Sequence, residues 1–106
     1  MLQAYDDAGI RALLGFAMMD KPIVDNFPFL QAHVPPALVA ELRGAPRPAG
    51  ADQLALVRDL ARERHPQSRR VGVLVSASAP QRCTEPFLRD VRALADELAL
   101  PIITHV

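Results

Sequence analysis

A single cysteine, Cys83, is all this 106-residue chain holds. It cannot staple the fold by an internal disulfide, so nothing here asks for an oxidising compartment. Twelve basic residues are cancelled by twelve acidic ones, which removes the usual electrostatic argument for nucleic acid or an anionic membrane as partner. No apolar run approaches the ~20 residues needed to cross a bilayer, and no basic-then-apolar leader opens the chain. These absences predict a soluble cytoplasmic protein with neither nucleic acid nor membrane as partner. G-x-G-x-x-G and P-loop patterns are missing, which argues against a nucleotide-phosphate cradle. No internal repeat and no low-complexity tract occurs.

What is present is the composition of one folded unit. Half the residues are hydrophobic and 23% are charged, so disorder is not expected, and the length allows one domain at most. The ten prolines, about twice the average usage, sit at the joints between elements. Leu2 to Ala8 reads as the last turns of a helix, with Gly9 suited to end it. Residues 10–19 form an apolar run of the kind found in strands covered on both faces, as in parallel sheets, and Asp20-Lys-Pro marks its end. Residues 20–35 make an irregular connection carrying the apolar cluster Ile23, Val24, Phe27, Phe29 and Leu30. Connections of this length are usually functional, partly structured or covering something.

Pro36 suits the first turn of a short helix near 36–43, and Gly44 to Gly50 is a break rich in proline and glycine. A helix near 52–65 follows, with Asp52 as candidate cap and Pro66 as its stop. Its Leu54, Val57, Leu60 and Ala61 share one face. Val71-Gly-Val-Leu-Val75 begins a strand near 71–76. The helix near 84–99 has the clearest pattern, since Phe87, Leu88, Val91, Leu94, Ala95 and Leu98 form one stripe. Thr84 is its expected N-cap, and Pro86 is tolerable in the first turn. A last strand is expected near 101–106.

Strands alternating with helices predict an α/β fold of three parallel strands with right-handed crossovers. Three parallel strands are few for a complete domain, and both outer edges would be exposed and apolar. The expected architecture is therefore an arc of a larger sheet.

His105 is the foremost candidate for chemistry. It falls at the carboxyl end of the last strand, the edge where α/β folds place their sites, and a neutral imidazole can bind a metal. The plainer alternative is a histidine that hydrogen-bonds locally. A catalytic metal needs roughly three protein ligands, and neither His33, in the long connection, nor His65, at a helix end, is spaced to join His105. Cys83 precedes a helix N-terminus, where a thiolate would be stabilised. No histidine is placed to activate it, so packing beneath the helix is the favoured role, with a small complete enzyme using Cys83 as the alternative. Ser76 and Ser78 follow a strand without the G-x-S-x-G elbow and are weak nucleophiles. Met18 and Met19 read as strand packing.

Two stretches resemble the amidohydrolase superfamily, in its chlorohydrolase and nucleobase-deaminase branch. One is Ala8-Gly-Ile-Arg-Ala12 with Met18-Met-Asp20, which looks like the third barrel strand and its approach. The other runs from Ala79-Pro-Gln-Arg-Cys-Thr84 through the helix to Leu100-Pro-Ile-Ile-Thr-His-Val106, and is similar to the fourth strand, fourth helix and fifth strand. The resemblance implies an arc of a (β/α)8 TIM barrel rather than a whole one. It also implies a zinc or iron ion at the carboxyl end of the barrel, polarising a water that attacks a small-molecule substrate and breaks a carbon–nitrogen or carbon–chlorine bond. His105 matches the metal-ligand histidine of the fifth strand. Ser78 stands roughly where many relatives have a substrate-contacting histidine.

The family's remaining metal ligands, and the acidic residue used in proton transfer, match no position in this chain. The expectation is thus a segment of a metal-dependent hydrolase that is inactive alone and binds no metal stably. Exposed sheet edges predict a homo-oligomer, and a non-enzymatic, self-associating α/β module is the competing reading.

Overall fold

The computed structural model describes residues 1–106 and shows a mixed α/β chain around an open, parallel, three-stranded sheet. In chain order the elements are α1 (Leu2–Asp7), β1 (Ala12–Gly15), α2 (Pro36–Gly44), α3 (Gly50–Glu63), β2 (Val71–Ala77), α4 (Glu85–Leu98) and β3 (Ile102–Thr104). Two 3-10 turns, Ile23–Asn26 and Pro28–Ala32, give partial structure to the long connection. No helix is long and apolar enough to cross a membrane.

The strands lie in the order β1-β2-β3, all parallel. Alternation along β2 divides the sheet into two faces. Val73, Val75 and Ala77 point to the side where α3 and α4 lie, and join Val57, Ala61, Phe87, Val91, Leu94 and Ala95 in one core. The apolar stripes expected from the periodicity of both helices are buried in this core, and both helices lie on the same face of the sheet. Arg58 on α3 and Glu97 on α4 are joined by a two-pronged ion pair across the outer surface. The opposite face carries no helix, although the chain at Arg64 and Pro66 packs against Gly72 there. Leu13, paired with Gly72, is 50% exposed, and Ile103, paired with Ser76, is 51% exposed.

Several boundaries differ from the sequence reading. The strand expected over 10–19 is a four-residue ladder, Ala12–Gly15, followed by an isolated bridge, Met18 to Ala77, in the same register. Its start waits for β2, with Ala12 N–H donating to Arg70 C=O. Beyond Met18 its backbone is taken by a side chain: Gln53 Oε1 accepts from Met19 N–H at 3.0 Å, and Gln53 Nε2 donates to Met19 C=O at 2.8 Å. β1 is not covered on both faces either, because no element lies over the side that carries Leu13 and Gly15.

α3 begins at Gly50, so Asp52 lies inside its first turn and does not cap it. The early start is possible because residue 50 lacks a side chain: a Cβ there would meet the Phe87 ring at 2.8 Å. The helix ends at Glu63, with Arg64 N–H bonded to Leu60 C=O, three residues before Pro66. α4 starts as expected, with Thr84 Oγ1 accepting from Phe87 N–H. β3 is only Ile102–Thr104, so His105 lies one residue past the strand.

Two dimensions show how open the chain is. Its radius of gyration is 16.2 Å, against about 13 Å for a compact domain of this length. Its accessible surface is 6869 Å², about 1,000 Å² more than a compact monomer of 11.6 kDa presents.

Candidate functional site

The turn from β2 into α4 builds one wall of the candidate site. β2 runs on past Ala77 to Ser78, whose N–H donates to Met18 C=O at 2.8 Å. A 3-10 turn, Pro80–Arg82, then leads to the α4 cap. That turn is held from below by the segment after β1, because Lys21 N–H donates to Arg82 C=O and Lys21 Nζ donates to Gln81 C=O. Asp20 is the strongest of these supports. Its two carboxylate oxygens accept from Thr84 N–H at 2.7 Å and from Thr84 Oγ1 at 2.5 Å.

β3 supplies the other wall. Ala77 pairs with Thr104, and one residue further on His105 N–H donates to Ser78 C=O at 3.3 Å. The two sequence candidates, Ser78 and His105, are therefore brought together at the carboxyl edge of neighbouring strands. With Ala79, Gln81, Arg82 and Val106 they line a shallow cleft of about 330 Å³. Ser78 is buried and accepts a hydrogen bond from Arg82 at its hydroxyl oxygen, 3.2 Å away, while His105 is exposed. No hydrogen bond links the Ser78 hydroxyl to the imidazole, so the pair is not arranged as a nucleophile and its base.

The other candidates lie elsewhere. His33 is exposed in the long connection. His65 follows α3, beside the amino end of β2, with Nε2 2.8 Å from Leu98 C=O and Nδ1 accepting from Gln67 N–H. That pattern puts the proton on Nε2 and occupies both ring nitrogens. No three His, Cys, Asp or Glu side chains stand together in a way that could hold a metal ion. His105 offers one ligand, in a cleft whose other lining residues are Ser78, Ala79, Gln81, Arg82 and Val106.

Cys83 is buried beneath α4, with Sγ 3.6 Å from Met18 C=O. Burial pushes its thiol up from the ordinary value, and the nearby Asp20 carboxylate adds to the effect. Both favour the neutral thiol, and the side chain is packed within the core. Met18 is a core residue beside it.

Sequence reasoning missed the contacts of Asp20 and Gln53, which fix the segment after β1 to the α4 cap and to α3. Asp20 and Thr84 are 64 residues apart and Gln53 and Met19 are 34 apart, so no local pattern announces either contact. No family model, no curated protein and no solved structure matches the chain.

Proposed function

We propose that this chain is the third-to-fifth-strand segment of an amidohydrolase-type (β/α)8 barrel. The whole enzyme would be a zinc- or iron-dependent hydrolase of carbon–nitrogen or carbon–chlorine bonds in a small-molecule substrate. The observation that carries the reading is the position of His105. It stands beside Ser78 at the carboxyl edge of a parallel sheet, where (β/α)8 enzymes keep their chemistry.

Three features of the fold support the barrel arc. Strand order follows chain order, and both crossover helices lie on one face, as winding in a single sense requires; a doubly wound sheet would reverse its order. The helix-free face carries Leu13, Leu74 and Ile103, whereas parallel sheets are ordinarily covered on both sides. The excess surface and large radius of gyration fit a unit that has neighbours.

The side chains present suit a metal centre only in part. A catalytic site needs about three protein ligands and an open position, and His105 supplies one. No catalytic step is assigned to this chain, and Ser78 is a wall of the substrate cleft in this reading. Elemental analysis after exhaustive dialysis should find well under one zinc or iron per chain, and no deaminase or chlorohydrolase turnover. Metal-dependent turnover lost in His105→Ala would overturn the inactivity of the isolated chain.

A second reading rests on the same bare sheet. Exposed Leu13, Ile102 and Ile103, together with the unpaired outer edges of β1 and β3, suit a non-enzymatic module that self-associates through its sheet. In that case Ile103→Lys would halve the mass seen by light scattering.

A further inference from the structure

The net charge is zero, but it is not evenly spread. From Arg62 to Arg70 the chain holds four arginines and a single acid, Glu63. The fold brings a fifth arginine to this stretch. Arg11 and Arg70 stand immediately before Ala12 and Val71, the first paired residues of β1 and β2, so parallel pairing sets the two side by side at the amino edge of the sheet. The turn after α3 brings Arg69 to the same place, its N–H donating to His65 C=O at 3.0 Å. Arg11, Arg69 and Arg70 line one cleft of about 280 Å³, completed by Ala12, Leu13 and Pro66.

Little in the chain neutralises these three. Arg69 Nε donates to Glu63 C=O at 3.1 Å, and Arg70 Nη2 donates to Asp6 C=O at 2.9 Å. Those bonds tether the side chains, but a neutral carbonyl cancels no charge. The one carboxylate paired with any of them is Asp6, 3.9 Å from Arg70, and Arg64 already holds it. Arg11, Arg69 and Glu63 take part in no ion pair. Like charges gathered on one cleft repel, and they focus a positive potential that a bound anion relieves.

We propose that this cleft binds a small phosphate monoester, with Arg11, Arg69 and Arg70 on the phosphate and Leu13 and Pro66 against the organic part. Guanidinium forks match phosphate oxygens two at a time, and arginine clusters are a recurring receptor for phosphate esters. A monoester carries about −1.5 to −2 charge at neutral pH, enough to answer guanidinium groups that no carboxylate meets. The volume stands just below the ~300–1,000 Å³ of small-molecule sites, which suits one compact ligand and not a polymer. Leu13, half exposed beside the arginines, gives an organic group apolar surface to cover. The cleft lies at the opposite end of the strands from Ser78 and His105, so the inference does not depend on the hydrolase reading.

Calorimetric titration of the full chain with phenyl phosphate, in metal-free buffer at fixed ionic strength, tests it. Saturable one-to-one binding is expected, weaker for inorganic phosphate, which lacks the apolar part, and weaker again in added salt. Arg11→Gln and Arg69→Gln should each weaken binding at least about tenfold, the loss of one charge-assisted hydrogen bond. Arg89→Gln on α4 should bind as wild type does, and circular dichroism checks that each variant folds. As a measurement free of variants, amide NMR signals of Arg11, Ala12, Arg69 and Arg70 should shift with phenyl phosphate while those of Ser78 and His105 stay in place. Absence of saturable binding overturns the proposal. So does inorganic phosphate binding as tightly as the ester, a loss in Arg89→Gln equal to that in Arg11→Gln, or shifts centred on Ser78 and His105. Tighter binding of a short single-stranded DNA, lost evenly on replacing any exposed arginine, would likewise overturn it in favour of a diffuse basic surface.

Discussion

Asp20 holds Thr84 by both of its carboxylate oxygens, one on the backbone N–H at 2.7 Å and one on the hydroxyl at 2.5 Å. Thr84 in turn accepts from Phe87 N–H at 3.3 Å. The segment after β1 is thus bonded to the first turn of α4 through a relay, and the turn carrying Ser78 and Arg82 precedes that cap. Thr84→Ala should cost about 1 kcal/mol, as for other helix caps. Asp20→Ala should cost at least as much, because it removes a charge-assisted pair. Since the two residues share one network, the double variant should lose less than the sum of the single losses. Denaturant unfolding of the four proteins checks this.

Ala99 ends α4 in the left-handed region, at φ 50° and ψ 43°, and is the only non-glycine residue with positive φ. Its N–H bonds back to Ala95 and Asp96 C=O, the geometry that glycine ordinarily supplies at a helix end. An L-residue there costs roughly 1–2 kcal/mol, partly offset by the greater freedom glycine gains in the unfolded chain. Ala99→Gly should therefore stabilise the protein by about 0.5–1 kcal/mol, read as a higher thermal midpoint.

Cys83 should be silent in the native state. Burial, reinforced by Asp20, raises its thiol above the unfolded value. Its contribution to stability is then complete below the unfolded thiol range and lost as pH rises through the folded value. Iodoacetamide should label the thiol only after denaturant is added, and alkaline pH should destabilise wild type more than Cys83→Ala. Fast labelling of the folded chain would return Cys83 to the list of nucleophiles.

Glu97 responds in the opposite direction. The hydrogen bond from Arg58 holds its carboxyl below the usual range, against a smaller opposing effect of desolvation. Its contribution is present above the unfolded carboxylate range and is lost as pH falls through the folded value. The pair is exposed, so the effect is small. The gap in thermal midpoint between wild type and Glu97→Gln should be measurable near neutrality, close in acid, and shrink with added salt.

What could be read from the sequence followed from local periodicity. The stripes of α3 and α4, the Thr84 cap and the buried valines of β2 each depend on residues within a turn or two of one another. The extent of β1 was not legible in this way, because an apolar run cannot say which of its faces a helix will cover. Leu13 looks like Leu14 in the sequence, yet it faces the bare side. Asp52 offered ordinary cap chemistry, but the fit of Gly50 against the Phe87 ring starts the helix sooner. At the site, parallel topology was enough to set His105 beside Ser78. The contacts from Asp20 and Gln53 that support the turn close over long stretches of chain, and only the folded packing reveals them.

The most direct measurement supplies the strands that the proposed barrel would add. The 106 residues are folded together with separately expressed segments carrying the remaining strands of a metal-dependent amidohydrolase barrel, and metal is counted in the purified complex. If His105 is a ligand of a shared centre, the complex should hold about one zinc or iron, and His105→Ala should lose most of it while still assembling. A complex that retains its metal with alanine at position 105, or segments that never associate, would contradict the assignment of this chain to such a barrel.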